Sequence, residues 1–293
     1  MKDSDETMTI SEALGVAARR LESAGVGQPR RESSSLLKYV LDRPAAFIIA
    51  HPEYALSESE ALSFEEVVAR RSAREPFQYI VGEQEFYGLR FEVRPGVLIP
   101  RPETELLVEA ALTVLSPIEE PSFLEVGVGS GCVSISILHN LKRAVATAVD
   151  VSDRALILSE SNARRHGVAE RLALRSGNLF EGIDDRYHLI VSNPPYVPLR
   201  DLSDMQAEVA RFEPHQALFG GTDGLVIIRE LVSGAPKFLA PGGHLLIEIG
   251  HDQSRSVQSM LDENIWEMPE PLLDLQGFER VIKIRLRSSG FTA

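Results

Sequence analysis

The first part of the chain carries apolar side chains at helical spacing. Apolar residues recur at i, i+3, i+4 and i+7 from Leu14 to Leu21, and comparable runs lie at residues 36–41 and 62–68. Such stripes predict amphipathic helices that each bury one face. We therefore predict a small helical domain over residues 1–83.

A shorter repeat follows the helical part. Leu89, Phe91 and Val93 alternate with polar residues, and Gly88 stands just before them. A period of two indicates a β-strand, and a glycine next to it indicates a tight turn. We predict that residues 84–96 form a β-hairpin linker.

From residue 97 to residue 293, apolar strand candidates alternate with segments of helical length. The strands are predicted at residues 123–126, 144–149, 172–174, 189–191, 245–249 and 281–286. The helices are predicted at residues 102–115, 152–166, 224–238 and 253–263. This alternation favours an α/β fold, a mostly parallel sheet with helices on both faces. Residues 133–137 alternate like a strand, but they follow a glycine loop that should open a helix, and we expect tertiary packing to favour the helix.

Composition restricts the class of protein and of site. With 44% hydrophobic and 25% charged residues, the 293-residue chain has an ordinary globular composition. Cys132 is the only cysteine, which excludes an internal disulfide and any multi-cysteine metal site. We interpret it as a packing residue. The seven histidines lack the spacing of metal ligands, so no metal site is predicted.

Charge and hydropathy bear on partners and location. The formal net charge is -13, and no basic face is visible of the kind that binds nucleic acid directly. The first residues are polar and net acidic, and no apolar stretch approaches the roughly 18 residues of a membrane span. We predict a cytoplasmic protein with no membrane partner.

A glycine-rich segment follows the first predicted strand of the sheet. Glycines at alternate positions remove Cβ atoms where a strand turns into a helix, so a ligand can lie against bare backbone. The acidic residue at the end of the next strand is placed to accept hydrogen bonds from both hydroxyls of a ribose. Together they predict an adenosine-containing ligand. The residues concerned are Glu125, Gly127, Val128, Gly129, Ser130, Gly131 and Asp150.

The identity of that ligand depends on the spacing of the glycines. Cys132 occupies the position where the dinucleotide fingerprint requires its last glycine, so that fingerprint is not met. The arrangement resembles the first motif of the Rossmann-like methyltransferases, which bind S-adenosylmethionine. A turn needed only for close packing of helix and strand is the alternative.

The strand predicted at residues 189–191 leads into Asn193, Pro194, Pro195 and Tyr196. Two prolines fix φ and lack amide donors, which makes a rigid rim at the carboxyl end of the sheet. The Asn193 side chain and the Pro194 carbonyl offer acceptors, and Tyr196 offers a flat ring. Acceptors of this kind suit a planar amino group that gains positive charge as it attacks a methyl group. These four are the candidate catalytic residues, and a loop stiffener is the alternative.

Over nearly its whole length the chain resembles the HemK/PrmC protein-(glutamine-N5) methyltransferases. The resemblance rests on residues 75–82, 86–88, 98–105, 127–131, 150, 193–196 and 213–225. It implies a Rossmann-like S-adenosylmethionine-dependent methyltransferase domain at residues 97–293 and a substrate-docking role for the helical domain. The implied reaction is methylation of the side-chain nitrogen N5 of the glutamine in the Gly-Gly-Gln motif of bacterial peptide chain release factors.

The resemblance also implies roles for single residues. Glu125 would lie near the ammonium group of the cofactor, Asn178 and Leu179 would face its adenine, and Asn193 would contact both cofactor and glutamine amide. The chain departs from the family pattern in three places, namely at Glu125 and at Asn178, where aspartate is more usual, and at the pair Tyr187-His188 before the fourth strand. These departures bear on cofactor affinity more than on the type of reaction.

Three other functions are open on the sequence alone. The first is methylation of a glutamine in another protein, such as a ribosomal protein. The second is adenine-N6 methylation of nucleic acid, which predicts a basic groove that this acidic chain lacks. The third is a non-catalytic adaptor that keeps the fold.

Overall fold

The protein, studied as a computed structural model, is described at residues 8–288. It divides into two compact units. One unit consists of the chain up to Gly82 together with Gln206–Phe212, and the other consists of Glu83–Met205 and the chain from Glu213 onward. Among the described residues, no helix combines the length and the apolar character needed to cross a bilayer.

The first unit is helical, as predicted. Its helices before the hairpin are α1 (Ile10–Ser23), α2 (Pro29–Leu41), α3 (Ala45–Ala50), α4 (Glu58–Ser72) and α5 (Phe77–Val81). Leu21, Leu36 and Leu37 are fully buried in its core, because each lies on the apolar stripe of its helix. Thr9 and Ser57 close capping boxes at the starts of α1 and α4.

A buried cation holds together distant parts of this unit. The Arg71 side chain is 6% exposed and lies against two carboxylates, those of Glu32 and Glu208. The Nη1 atom of Arg71 lies 3.0 Å from Oε1 of Glu208, and Arg74 binds both oxygens of the same glutamate at 2.6 and 2.8 Å. A buried charge of this kind lowers the stability of the fold when its partner of opposite charge is removed.

Replacement of Arg71 by leucine is expected to lower the free energy of unfolding by about 3 kcal/mol, because removing one partner of a buried ion pair leaves uncompensated charge. Urea unfolding followed by circular dichroism measures the loss. Arg20→Leu is the matched control, since Arg20 pairs with Glu65 on the surface, and such pairs contribute less than about 1 kcal/mol. Equal losses in the two variants would contradict this account of Arg71.

The second unit begins with the predicted hairpin. Strands β1 (Glu83–Phe86) and β2 (Leu89–Glu92) pair antiparallel. Asn162 is fully buried and fixes the hairpin to the glycine loop, because its Nδ2 atom donates to the carbonyls of Glu92 at 3.0 Å and Ser130 at 2.9 Å.

A seven-stranded sheet forms the centre of this unit. Its strands are β3 (Ser122–Val126), β4 (Val145–Asp150), β5 (Leu172–Ser176), β6 (Tyr187–Ser192), β7 (Leu239–Glu248), β8 (Glu270–Leu273) and β9 (Glu279–Arg285). The order across the sheet is β5-β4-β3-β6-β7-β9-β8. Strands β3 to β7 are parallel to their neighbours, whereas β9 is antiparallel to β7 and to β8. The predicted α/β fold with a mostly parallel sheet is confirmed.

Helices cover both faces of the sheet. They are α6 (Glu105–Leu115), α7 (Cys132–Asn140), α8 (Asp153–Arg165), α10 (His215–Leu218), α11 (Val226–Gly234) and α12 (Ser254–Gln258), and α9 (Ala207–Phe212) belongs to the first unit. Within β6, Leu189 and Val191 pack in the core with α6 and α7, whereas Ile190 packs in the core with α11. Side chains alternate between the two faces along a strand, and the continuous apolar run at residues 189–191, which predicted this strand, therefore packs in both cores.

The segment at residues 133–137 is helical, as expected. It lies inside α7, and every residue from Cys132 to Leu138 is buried. A helix whose residues are buried on every side packs on all sides, so packing overrides the strand-like alternation. Cys132 is buried in this core, as the packing interpretation requires.

The sequence prediction was wrong at three places near the carboxyl end. Helix α12 ends at Gln258 rather than at residue 263, because the Asp262 side chain accepts from the backbone of Asn264 and favours a turn. Helix α11 ends at Gly234, followed by a 3-10 turn that contains Pro236. Strand β8 was missed, since its residues alternate weakly and it lies at the sheet edge, where proline is tolerated.

Candidate active site

A cavity opens at the carboxyl ends of β3, β4 and β6. These strands are neighbours at the point where the strand order reverses, which is where open α/β sheets bind ligands. The predicted site residues that line the cavity are Gly127, Gly129, Asp150, Asn178, Leu179, Asn193, Pro194 and Pro195. The cavity therefore brings together parts of the cofactor prediction and of the catalytic prediction.

The first two glycines of the loop leave the backbone bare. Gly127 and Gly129 have φ of +83° and +54°, and a Cβ atom added at either would meet nothing within 4 Å. Gly131 has a different reason to be glycine, because a Cβ there would lie 2.5 Å from Oγ of Ser159. Two glycines thus face open space, and the third permits close packing on α8.

Asp150 holds the loop and presents its carboxylate at the tip of β4. Its Oδ2 atom accepts from the backbone N–H of Gly129 at 2.9 Å, and its Oδ1 atom accepts from that of Ser152 at 2.9 Å. Partial burial raises the pKa of Asp150, although these N–H donors act in the opposite direction. Each carboxylate oxygen keeps a lone pair for a further donor, such as a hydroxyl group.

Glu125 does not line the cavity. Its side chain is buried below the loop and accepts from the N–H of Ser134 at 3.0 Å and from the Ser134 hydroxyl, in the first turn of α7. Burial raises the pKa of Glu125 to about 8, against the effect of the Ser134 hydrogen bonds. From the end of β3, the Glu125 side chain therefore binds the first turn of α7, and its position near a cofactor's ammonium group stays a prediction.

The raised pKa of Glu125 gives a pH-dependent stability. The folded state keeps a proton on Glu125 up to about pH 8, whereas the unfolded state loses it near pH 4.5. The contribution of Glu125 to the free energy of unfolding therefore falls as the pH rises between these two values. Glu125→Gln is expected to lose less thermal stability than the wild type between pH 6 and about pH 8. The exposed Glu119→Gln is the control, and parallel pH profiles of wild type and Glu125→Gln would contradict the assignment.

Three further predicted cofactor residues also lie away from the cavity lining. Val128 is buried in the core, the Ser130 carbonyl accepts from Asn162, and Gly131 is the N-cap of α7. They support the glycine loop without lining the cavity. The Val128 side chain packs in the core and the Ser130 carbonyl bonds to Asn162, so both are directed away from the cavity, and Gly131 already belongs to the start of α7.

Asn193 and the prolines form a rigid corner after β6. The Nδ2 atom of Asn193 donates to Oγ1 of Thr104 at 3.0 Å. Tyr196 lies behind the corner rather than in the cavity lining: its hydroxyl donates to Oε1 of Glu248 at 3.3 Å, and its carbonyl accepts from Gln253 at 2.9 Å. Burial raises the pKa of the Tyr196 hydroxyl, so this group is a donor at neutral pH.

Several lining residues were missed by the sequence prediction. They are Gly96, Val97, Leu98, Val126, Val149, Val151, Ser152, Ala155, Gly177, Ser192, Pro214, Gln216, Ala217 and Ile227. The lining residues around 98 and 214–217 could have been predicted from the sequence, because both segments belong to the motifs that carry the family resemblance. Arg101 belongs to the first of these motifs without lining the cavity, and its Nη2 atom lies 2.6 Å from Oε1 of the buried Glu213.

Two buried polar residues behind the corner were also missed. Thr104 is 2% exposed, and Glu248 is 1% exposed. Burial raises the pKa of Glu248 to about 7, while Thr104, Arg280 and Tyr196 lower it. Among residues 8–288, no group of three or more histidine, cysteine or acidic side chains is arranged to hold a metal ion.

Comparison with known proteins gives consistent matches along the chain. Residues 12–82 match the family model described as the PrmC N-terminal domain, and residues 102–211 match that of the methyltransferase small domain. A methyltransferase structure from Pyrococcus furiosus has a similar fold, with a TM-score of 0.52 at 18% identity over 68% of this chain and 89% of that chain. The Rossmann-like methyltransferase fold is thus confirmed.

Two relatives of similar length carry the same name. The release factor glutamine methyltransferase of Geobacter sulfurreducens is 40% identical over 98% of this chain and 100% of its own. The protein of the same name from Moorella thermoacetica is 41% identical over 86% of this chain and 89% of its own. The chain therefore belongs to the family of release factor glutamine methyltransferases.

Proposed function

We propose that this chain transfers a methyl group from S-adenosylmethionine to the side-chain amide nitrogen N5 of the glutamine in the Gly-Gly-Gln motif of peptide chain release factors. The observation that carries the proposal is that bare glycine backbone, the Asp150 carboxylate and the corner from Asn193 to Pro195 line one cavity. Direct transfer requires donor and acceptor to meet in one place with a fixed orientation.

The groups that line the cavity fit S-adenosylmethionine. Gly127 and Gly129 leave room where other residues would carry Cβ atoms, and Asp150 offers oxygens to ribose hydroxyls. Leu179 offers an apolar surface to the adenine, and the exposed Asn178 offers polar atoms beside it. When bound, S-adenosylmethionine supplies an electrophilic methyl group on a sulfonium sulfur, which keeps the electron pair of the broken carbon–sulfur bond.

Asn193 and Pro194 bind and orient the glutamine amide. An amide nitrogen is a poor nucleophile because its lone pair is delocalised, and it gains positive charge as it bonds to carbon. The Asn193 Oδ1 atom and the Pro194 carbonyl accept from its two N–H groups, so they stabilise the transition state more than the ground state. The nitrogen then releases one proton to water, which leaves a neutral methylated amide.

The helical domain at residues 1–83 helps to hold the protein substrate in this proposal, with residues 84–96 as linker and residues 97–293 as the catalytic domain. The match of residues 12–82 to the N-terminal domain model supports this division.

The test is a methyl-transfer assay with purified chain, isotope-labelled S-adenosylmethionine and a purified bacterial release factor. Mass spectrometry is expected to locate one methyl group on the glutamine of the Gly-Gly-Gln motif. A release factor with alanine at that glutamine is the matched substrate control. Label that appears only on a ribosomal protein, only on an adenine-containing oligonucleotide, or on none of these substrates would overturn the proposal.

A further inference from the structure

We propose that Thr104 and Glu248 are positioning residues, which together orient the Asn193 side-chain amide so that its oxygen faces the substrate. The inference rests on the proposed function, because it concerns the acceptor that binds the glutamine amide. It also gives a physical role to the segment at residues 98–105, which the sequence analysis singled out without a chemical reason.

The need for orientation comes from the symmetry of the amide group. An asparagine side chain has an acceptor on one side and a donor on the other, and a half turn exchanges them. Only the arrangement with Oδ1 in the cavity can accept from the substrate N–H groups. The other arrangement would place two donor groups against each other.

The Thr104 hydroxyl is the group that contacts the far side of this amide. Its Oγ1 atom accepts from Nδ2 of Asn193 at 3.0 Å, and the Thr104 side chain is buried in the turn before α6. A hydroxyl can donate as well as accept. Thr104 alone would therefore tolerate both arrangements of the Asn193 amide.

Glu248 removes this ambiguity. It lies buried at the end of β7 and accepts from the Tyr196 hydroxyl at Oε1, and the Thr104 hydroxyl nearby helps to lower the pKa of this carboxyl group. Its Oε2 atom makes no hydrogen bond to any residue that the structure describes. An ionised carboxylate only accepts, so it attracts the Thr104 hydrogen and leaves the Thr104 lone pairs for the N–H of Asn193.

The protonation state of Glu248 should therefore control the orientation. Burial and Glu103 favour the protonated form, whereas Thr104, Arg280 on β9 and Tyr196 favour the ionised form. Cys132, at the start of α7, also faces this carboxyl group and stays protonated because burial raises its pKa to about 12. A protonated Glu248 can donate to Thr104, which then donates to Asn193 and reverses the amide.

The first test replaces Thr104 with valine, which has the same shape and no hydroxyl, and with serine, which keeps the hydroxyl. Thr104→Val is expected to lower kcat for release factor methylation by about 10-fold or more, whereas Thr104→Ser stays within about threefold of wild type. The dissociation constant for S-adenosylhomocysteine should stay unchanged in both. Thr113→Val, on the exposed side of α6, is the matched control.

The second test is the pH profile of Glu248→Gln, which keeps the shape of Glu248 but does not titrate. The wild-type kcat is expected to rise as pH passes through about 7, since ionised Glu248 is the active form. Glu248→Gln should lack this rise. Thermal unfolding and S-adenosylhomocysteine binding show whether each variant is folded.

The third test needs no activity and separates the inference from the proposed function. In NMR spectra of the ¹⁵N-labelled protein, the Asn193 side-chain N–H bonded to Thr104 should exchange slowly in wild type and Thr104→Ser and quickly in Thr104→Val. Wild type that fails to methylate release factors overturns the proposed function, and this signal still decides the inference. Wild-type kcat in folded Thr104→Val, or equal exchange in all variants, would overturn the inference.

Discussion

Replacement of Asn193 by alanine is expected to lower kcat for methyl transfer by about 10²- to 10³-fold, because it removes an acceptor aimed at charge that develops in the transition state. The dissociation constant for S-adenosylmethionine should change much less, since the glycine loop and Asp150 line the cavity independently of this side chain. Single-turnover kinetics with release factor and calorimetric titration of the cofactor measure the two effects separately.

Asn264→Ala is the matched control for this experiment. Asn264 is exposed and bonds only to Asp262 in the described part of the chain, so its loss should leave kcat unchanged. An Asn193→Ala protein that is folded, binds cofactor and keeps wild-type kcat would show that the corner after β6 is only a loop stiffener.

Replacement of Asp150 by alanine is expected to weaken S-adenosylmethionine binding by about 100-fold or more. The variant loses charge-assisted hydrogen bonds to the ribose hydroxyls, each of which contributes about 1.5 to 3 kcal/mol. It also frees the N–H of Gly129, which Asp150 holds in place at 2.9 Å. Isothermal titration calorimetry of the purified protein gives the dissociation constant.

The control for Asp150 lies three positions further along the chain. Asp153 is exposed in the first turn of α8 and does not line the cavity, so Asp153→Ala should bind the cofactor as the wild type does. Equal losses in both variants would mean that negative charge near the start of α8 matters, rather than the contact of one carboxylate with a ribose.

The main features of the fold followed from local periodicity. The continuous apolar run in β6 predicted a strand in a sheet that helices cover on both faces, and the stripe in α1 predicted a helix with one buried face. Both patterns arise from backbone geometry, which acts over a few residues. Strand β8 lacked such a pattern. It lies at the edge of the sheet, and its four residues are only half-buried or exposed, so polar and apolar positions do not alternate clearly along it.

The sequence analysis could predict those parts of the candidate site whose residues lie close together in the chain. The glycine loop and the corner at Asn193 each lie within one turn, so their residue types indicated their chemistry. The bond between Asn193 and Thr104 joins residues 89 positions apart, and it depends on how α6 and β6 pack. Glu248 was missed for the same reason, since a single glutamate at the end of an apolar strand is not by itself informative.

Glu125 shows the limit of a motif as a guide to contacts. The motif singled out the residue by its type and place, whereas the bonds of its side chain to Ser134 in α7 are seen only in the structure. Because successive residues of a strand point to opposite faces, Glu125 and Val126 cannot both face the cavity, and Val126 is the one that lines it.

The most direct test of the central claim is a crystal structure of the chain with S-adenosylhomocysteine and a peptide that contains Gly-Gly-Gln. The account predicts the product cofactor on the glycine loop, with Asp150 at its ribose, and the glutamine nitrogen within hydrogen-bond distance of Asn193 Oδ1 and the Pro194 carbonyl. A peptide bound away from this corner, or a cofactor in another cavity, would contradict it.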